Sequence, residues 1–329
     1  MQTIEIFHPG QQQVNGNVFP KIITPKAPNT TSSSNTLEEL LTWGAENHHM
    51  FRQELMKYGA LLLRGFPFSS PEDFEHFLDI SGFPRMPYVG GAAPRSQVTK
   101  GRVLTSNESP PSEPIPFHHE MAQVPNPPAY IFFYCDLPCE IGGETAIAHS
   151  NHIYQKFQDV GGDFARKVET TGVRYIRIMP EEDDPSSAIG RSWKSTFIAT
   201  NKEEAETKMT ELGTTWQWLE NGTVRTETAT IPAIRTDERT GLKTFFNSMV
   251  AAYTGWVDSR NDPTKSVCCG DGSPVDGNVL TKMAVILEQE SAVIPWQKGD
   301  VLLIDNKLVL HSRKPFEGPR KILASIAPY

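Results

Sequence analysis

The residue types best suited to chemistry in this chain sit together in Pro116-Phe117-His118-His119-Glu120-Met121-Ala122. On an extended strand, residues i and i+2 face the same side, so His118 and Glu120 should converge while His119 points away. An imidazole and a carboxylate are two of the three ligands in a 2-His-1-carboxylate facial triad, the donor set that leaves positions open on non-haem Fe(II). The third ligand must be a histidine from elsewhere. Among the nine histidines His311 stands out, because it follows the run WQKGDVLLIDNKLVLH, in which Gly299-Asp300 and Asp305-Asn306 mark turns on either side of a buried strand. A zinc hydrolase would also use two histidines and a glutamate, but its helical H-E-x-x-H spacing is absent. Spacing alone leaves a third option, a strand histidine that merely satisfies a hydrogen bond.

The elements that must hold these residues are strand-rich. The bounded apolar runs Ala60–Phe66, Phe117–Ala122, Tyr130–Cys135 and Gly143–Ala148 read as strands. Later strands are expected at 224–234, 243–248, 293–295, 301–305 and 320–327. Helical periodicity predicts helices over Leu37–Tyr58, 151–169, 202–212 and Gly277–Gln289. Ser70-Pro71-Glu72-Asp73 is a helix start, with a cap, an N1 proline and acids at the positive end of the dipole. Residues 1–36 read as an N-terminal arm ending in the polar run TTSSSNT, and 37–329 as one domain. The expected class is mainly β with flanking helices.

Composition narrows the partners. With 31 basic and 39 acidic residues the net charge is −8, which disfavours nucleic acid as the main ligand. Four cysteines in 329 residues make no disulfide scaffold. Cys135 and Cys139, with the adjacent pair Cys268-Cys269, make a poor zinc set, and reduced thiols are expected. No secretory leader or 18-residue apolar span is evident, so the expected location is cytoplasmic.

Read in order, FHHEMA, GGETAIA and GDVLLIDNKLVLHSRKPFEGPRKIL resemble the Fe(II)/2-oxoglutarate-dependent oxygenases of the taurine dioxygenase and clavaminate synthase group. GALLLRGFP, MPYVGGAAPR, NESPP, DDPSSAIGRSWKSTF and FNSMVAAYTGW are similar to its plant clavaminate synthase-like branch, so the resemblance spans about residues 50–329. It implies a double-stranded β-helix, or jelly roll. It further implies iron bound by His118, Glu120 and His311, with Glu where many relatives have Asp. Thr145 of the G-G-x-T motif would contact the distal carboxylate of 2-oxoglutarate, and Arg320 would supply the charged partner. A one-residue shift would give Lys321 that role instead. The second arginine that some relatives carry four residues further on is absent. The implied reaction couples decarboxylation of 2-oxoglutarate by O2 to oxidation of a substrate, with hydroxylation, desaturation and cyclisation all open.

The substrate is expected to be small, polar and carboxylate- or amino-acid-like. Arg95, Arg191 and Lys194 lie in loops suited to binding an anion, although each could instead pair with the acidic run Glu181–Asp184. Asn107 and Asn247 are further candidates for substrate contact, against the alternative that they satisfy backbone groups. A hydrolase or isomerase on the same barrel, and a non-catalytic small-molecule-binding relative, are the rival classes. Neither would need Thr145 and Arg320.

Overall fold

Four apolar runs pair into one sheet because each is buried on both faces. In the computed structural model, which describes residues 1–26, 35–106 and 108–329, the sheet order is Thr3–Ile6, Lys21–Pro25, Ala60–Leu63, Val301–Asp305, Tyr130–Leu137, Lys321–Ala327 and Leu104–Thr105. Neighbours are antiparallel except Lys21–Pro25 with Ala60–Leu63, which is parallel. Side chains alternate as the pleat requires. Leu61, Leu63, Phe132, Tyr134, Val301, Leu303 and Leu323 face an outer layer formed by helices Leu37–Glu46, His48–Tyr58 and Pro71–Ile80. Leu62, Ile131, Phe133, Leu302, Ile304 and Ile322 face inward, where they meet Ile147 and Val309 of a second sheet.

That second sheet has the order Ile147–His149, Val309–Arg313, Ile115–His118 among the described residues. The two sheets enclose the core of a jelly roll and hold the site between them. A third sheet, ordered Thr215–Trp218, Val224–Glu227, Val173–Met179, Val267–Cys269, is built from the long excursion between Ile147–His149 and Val301–Asp305. Helices Ser150–Thr171, Met249–Gly255 and Gly277–Gln289 bury their apolar faces with it in a separate cluster.

The structure departs from the sequence expectations at several points. The residues expected as an arm carry four strands, two of them in the main sheet; the expected loop at 27–34 lies outside the described residues. The helix expected over Leu37–Tyr58 is broken at Asn47, whose side-chain amide donates to the Trp43 carbonyl and ends the first helix (2.8 Å). The strand expected at 224–234 stops at Glu227, and 293–295 forms no strand. Gly277–Gln289 and the Ser70/Pro71 helix start are as expected, the latter closed by a capping box with Asp73. All four cysteines are free thiols. Among the described residues no helix is long and apolar enough to cross a membrane.

Candidate metal centre and cosubstrate pocket

His311 sits in the middle strand of the small sheet, directly across from His118 in register. The two imidazole rings lie 4.3 Å apart between centroids. The pleat does not place Glu120, contrary to the sequence argument. The strand ends at His118, and Glu120 opens a turn in which Met121 takes a positive φ of 54°. Asn306 holds that turn. Its side-chain oxygen accepts the Glu120 N–H (2.8 Å), and its Nδ2 donates to the carbonyls of Glu120 (3.0 Å) and Pro128 (2.8 Å). The DN turn after Val301–Ile304, which the sequence offered only as a turn, therefore fixes the Glu120 backbone. His119 points away, as expected: its Nδ1 donates to the Asn306 carbonyl and its Nε2 meets Ser150 Oγ (2.9 Å).

Ligand atoms of His118, Glu120 and His311 all lie within 4.8 Å of one another. His118 Nδ1 is 2.8 Å from the Pro116 carbonyl. A carbonyl only accepts, so Nδ1 carries the proton and Nε2 presents its lone pair. Burial, reinforced by His311, lowers the His118 pKa to about 4, so the ring is neutral at pH 7, as a metal ligand must be. Burial alone would raise the Glu120 pKa, but the Arg95 guanidinium 2.9 Å away, with His311, holds it well below the ordinary carboxylate range. The cluster thus offers two imidazoles and an ionised carboxylate from three buried or half-buried residues, and this donor set fits a divalent iron.

The cluster forms one end of a cavity that Thr145 and Arg320 also line. Gly142 and Gly143 both have positive φ, and Arg320 Nε donates to the Gly143 carbonyl (2.8 Å). The guanidinium lies over the Phe316 ring, and no carboxylate pairs with it among the described residues. Burial, followed by the nearby Arg313, pulls its pKa down to about 10. Lys321 turns outward to an ion pair with Asp136 (2.8 Å). Arg313 is a cavity residue that sequence reasoning missed. Its Nη1 and Nη2 donate to the carbonyls of Ser109, Pro110 and Glu113, while its Nε is buried and unpaired.

The remaining candidates separate. Arg95 lines the cavity, stacks on Tyr88 (4.3 Å) and pairs with Glu120 rather than the acidic run; its Nε and Nη1 are buried without partners. Arg191 is not among the cavity-lining residues, and its guanidinium donates to the carbonyls of Tyr88, Gly91 and Ser195. Lys194 pairs with Glu181 and Glu182. Asn247 is buried away from the cavity, with its amide bonded to the Ala233 carbonyl and the Met249 N–H. Asn107 lies outside the described residues.

A facial-triad cluster beside a cation-bearing cavity on a jelly roll defines a class, the iron-dependent oxygenases. Residues 23–326 match the taurine catabolism dioxygenase TauD, TfdA family, and the chain belongs to it. It is an Fe(II)- and 2-oxoglutarate-dependent dioxygenase, with O2 as second cosubstrate. It is 46% identical over 318 residues to a clavaminate synthase-like protein of Arabidopsis thaliana, covering 97% of this chain and 96% of that one. It is 27% identical over 295 residues to the dapdiamide synthesis protein DdaC of Enterobacter agglomerans, covering 85% of each. The fold matches that of PvcB, an Fe, alpha-ketoglutarate-dependent oxygenase from an isonitrile synthetic pathway, with a TM-score of 0.55, 14% identity and coverage of 100% and 91%. It also matches AAD-2 in complex with Mn(II) and N-oxalylglycine, with a TM-score of 0.52, 14% identity and coverage of 97% and 96%.

Proposed function

We propose that His118, Glu120 and His311 hold the iron, that Thr145 and Arg320 hold the distal carboxylate of 2-oxoglutarate, and that the enzyme oxidises a small carboxylate- or amino-acid-like substrate. The observation that carries this reading is the coexistence, in one cavity, of the three-residue donor cluster and a half-buried arginine with no carboxylate partner. A buried guanidinium without a counter-charge is costly, and the planar fork of Arg320 suits a carboxylate. Iron held there, with 2-oxoglutarate as co-reductant and O2 as oxidant, would supply the chemistry that breaks a substrate C–H bond.

The protein's own contribution is position. The Pro116 carbonyl fixes the tautomer and ring angle of His118, and Asn306 fixes the Glu120 backbone. Arg95 keeps the Glu120 carboxylate ionised. Ile115, Pro116, Ile189, Ala251 and Trp256 give the cavity a mostly apolar wall that favours a substrate with a carbon skeleton of some size and excludes bulk water.

The test needs no substrate. Anaerobic Fe(II) followed by 2-oxoglutarate should give the weak visible charge-transfer band of the chelate. His118→Ala should abolish it. Arg320→Ala should weaken 2-oxoglutarate binding at least 30-fold, the lower end of about 2–5 kcal/mol for truncating one partner of a buried charge pair. Lys321→Ala should leave it unchanged. A band that survives His118→Ala, or a loss that follows Lys321 instead of Arg320, would overturn the assignment.

A further inference from the structure

Beside the main cavity lies a second, smaller one, and Gln123 and Trp256 line both. One wall is the inner face of the third sheet. Buried residues alternate along Val173–Met179, so Tyr175, Arg177 and Met179 share that face, and Arg177 lies across from Thr226 in register. Arg177 is 7% exposed. Only its Nη2 is bonded, to Thr196 Oγ1 (3.0 Å) and to the thioether sulfur of Met179 (2.6 Å), a weak acceptor. No carboxylate pairs with it among the described residues; Asp258 and Asp183 act on it only at longer range. Burial, with Arg191 nearby, pulls its pKa down to about 10.

A buried arginine that folding leaves without an acceptor is retained at a cost to stability. Nε and Nη1 make no hydrogen bond among the described residues and, lying on different edges of the guanidinium, each leave a donor for a carboxylate oxygen. Arg191 has spent its donors on three carbonyls, so no second free cation is available for a dianion such as a phosphate monoester. Val124, Phe197 and Leu212 supply apolar walls for carbon atoms beside the charge.

We propose that the second cavity is a carboxylate-binding subsite, in which Arg177 receives a carboxylate of the substrate remote from the carbon that is oxidised, the chain of the substrate passing Trp256 and Gln123. The anion site stands on its own geometry; that its occupant is the substrate rests on the oxygenase reading above.

The experiment uses the full enzyme loaded anaerobically with Fe(II) and saturating 2-oxoglutarate, so that the Arg320 position is filled. Hexanoate is titrated against its uncharged isostere hexanamide, with tryptophan fluorescence and the visible band both followed. Hexanoate should bind at least ten-fold more tightly than hexanamide and should shift the band. Arg177→Met should lose that preference and, without ligand, should melt above the wild type, because an uncompensated buried charge has been removed. Thr214→Leu, which fills the cavity while leaving Arg177 in place, should weaken hexanoate as well. Equal binding of acid and amide, or unchanged hexanoate binding in Arg177→Met, would overturn the proposal. Arg177-dependent binding that leaves the band unmoved would overturn its substrate part. Arg177-dependent binding in a protein that forms no band at all would support the anion site and count against the oxygenase reading.

Discussion

Removing the Asn306 side chain is the sharpest test of how this site is held together. Asn306 is fully buried and makes three side-chain hydrogen bonds, at 2.8, 3.0 and 2.8 Å, with the Glu120 N–H, the Glu120 carbonyl and the Pro128 carbonyl. In Asn306→Ala all three backbone groups lose that partner. A buried polar group left unpaired costs about 1–3 kcal/mol, so the sum lies near 3–9 kcal/mol, and partial relaxation of the turn brings the expected loss to about 3–5 kcal/mol. Asn306→Asp should be at least as damaging, because it keeps the acceptor for the Glu120 N–H but sets an oxygen against two carbonyls. Urea unfolding of the metal-free protein measures the loss directly. Titration with Co(II) should show metal binding weakened by about 10–100-fold, the usual effect of removing a group that orients a ligand. A variant within about 1 kcal/mol of wild type, binding Co(II) equally well, would refute the claim that Asn306 rather than the strand positions Glu120.

Three further outcomes follow from the same geometry. Gly143→Ala should weaken 2-oxoglutarate far more than the metal, because Gly143 has φ 73° and an added Cβ would sit 2.4 Å from Cys139 Sγ and 2.9 Å from Arg320 Cδ; equal losses in the two titrations would argue against it. In the metal-free protein, burial lowers His119 to about 3 and His149 to about 4, from an ordinary value of 6.5. Their neutral forms therefore contribute stability that is whole above pH 6.5 and is lost as pH falls toward those values, at up to about 1.4 kcal/mol per pH unit for each ring. His149→Gln should make the stability–pH slope between pH 6 and 4.5 shallower by about that amount, and an unchanged slope would refute a neutral buried His149. Arg95→Gln should destabilise the metal-free protein by about 3–5 kcal/mol, since it leaves the Glu120 charge buried and unpaired, and bound Co(II) should recover part of that loss. Thermal melts with and without metal would show whether it does.

What the sequence made legible was local. Ala60–Leu63, Val301–Asp305 and Pro71–Ile80 announced themselves because a bounded apolar run, or a cap such as Ser70, is written within a few residues. The candidate triad was legible in the spacing of His118 and Glu120 and in the strand before His311, and the family resemblance joined the three, yet the stated reason for His118 and Glu120 converging was wrong. A turn with a left-handed residue and a side-chain clamp 186 residues away replaced the pleat. Nothing near Glu120 signals Asn306, and nothing near Arg95 signals that its partner is Glu120 rather than the acidic run. Pairings of this kind are long-range and leave no periodicity to read. The third sheet was hidden for the same reason: its strands are three to seven residues long, and Val173–Met179 joins partners from three separate stretches of chain.

The buried arginines show how structure separates support from function where sequence could not. Arg64 makes a two-point pair with Asp300, Arg102 reaches Asp79 and several carbonyls, and Arg95 pairs with Glu120; each has its counter-charge. Arg191 and Arg313 have none, but three backbone carbonyls apiece absorb their donors. These five are charge-paired or bound to three carbonyls within the fold, although Arg95 Nε and Nη1 and Arg313 Nε stay unpaired. Arg320 and Arg177 are not: the first donates to a single carbonyl, the second to a hydroxyl and a sulfur, and each lines a cavity. Because a desolvated guanidinium without an acceptor works against folding, its persistence at a cavity wall argues for a ligand that completes it. The same reasoning that assigns a carboxylate to Arg320 therefore assigns one to Arg177, and the two stand or fall by separate titrations.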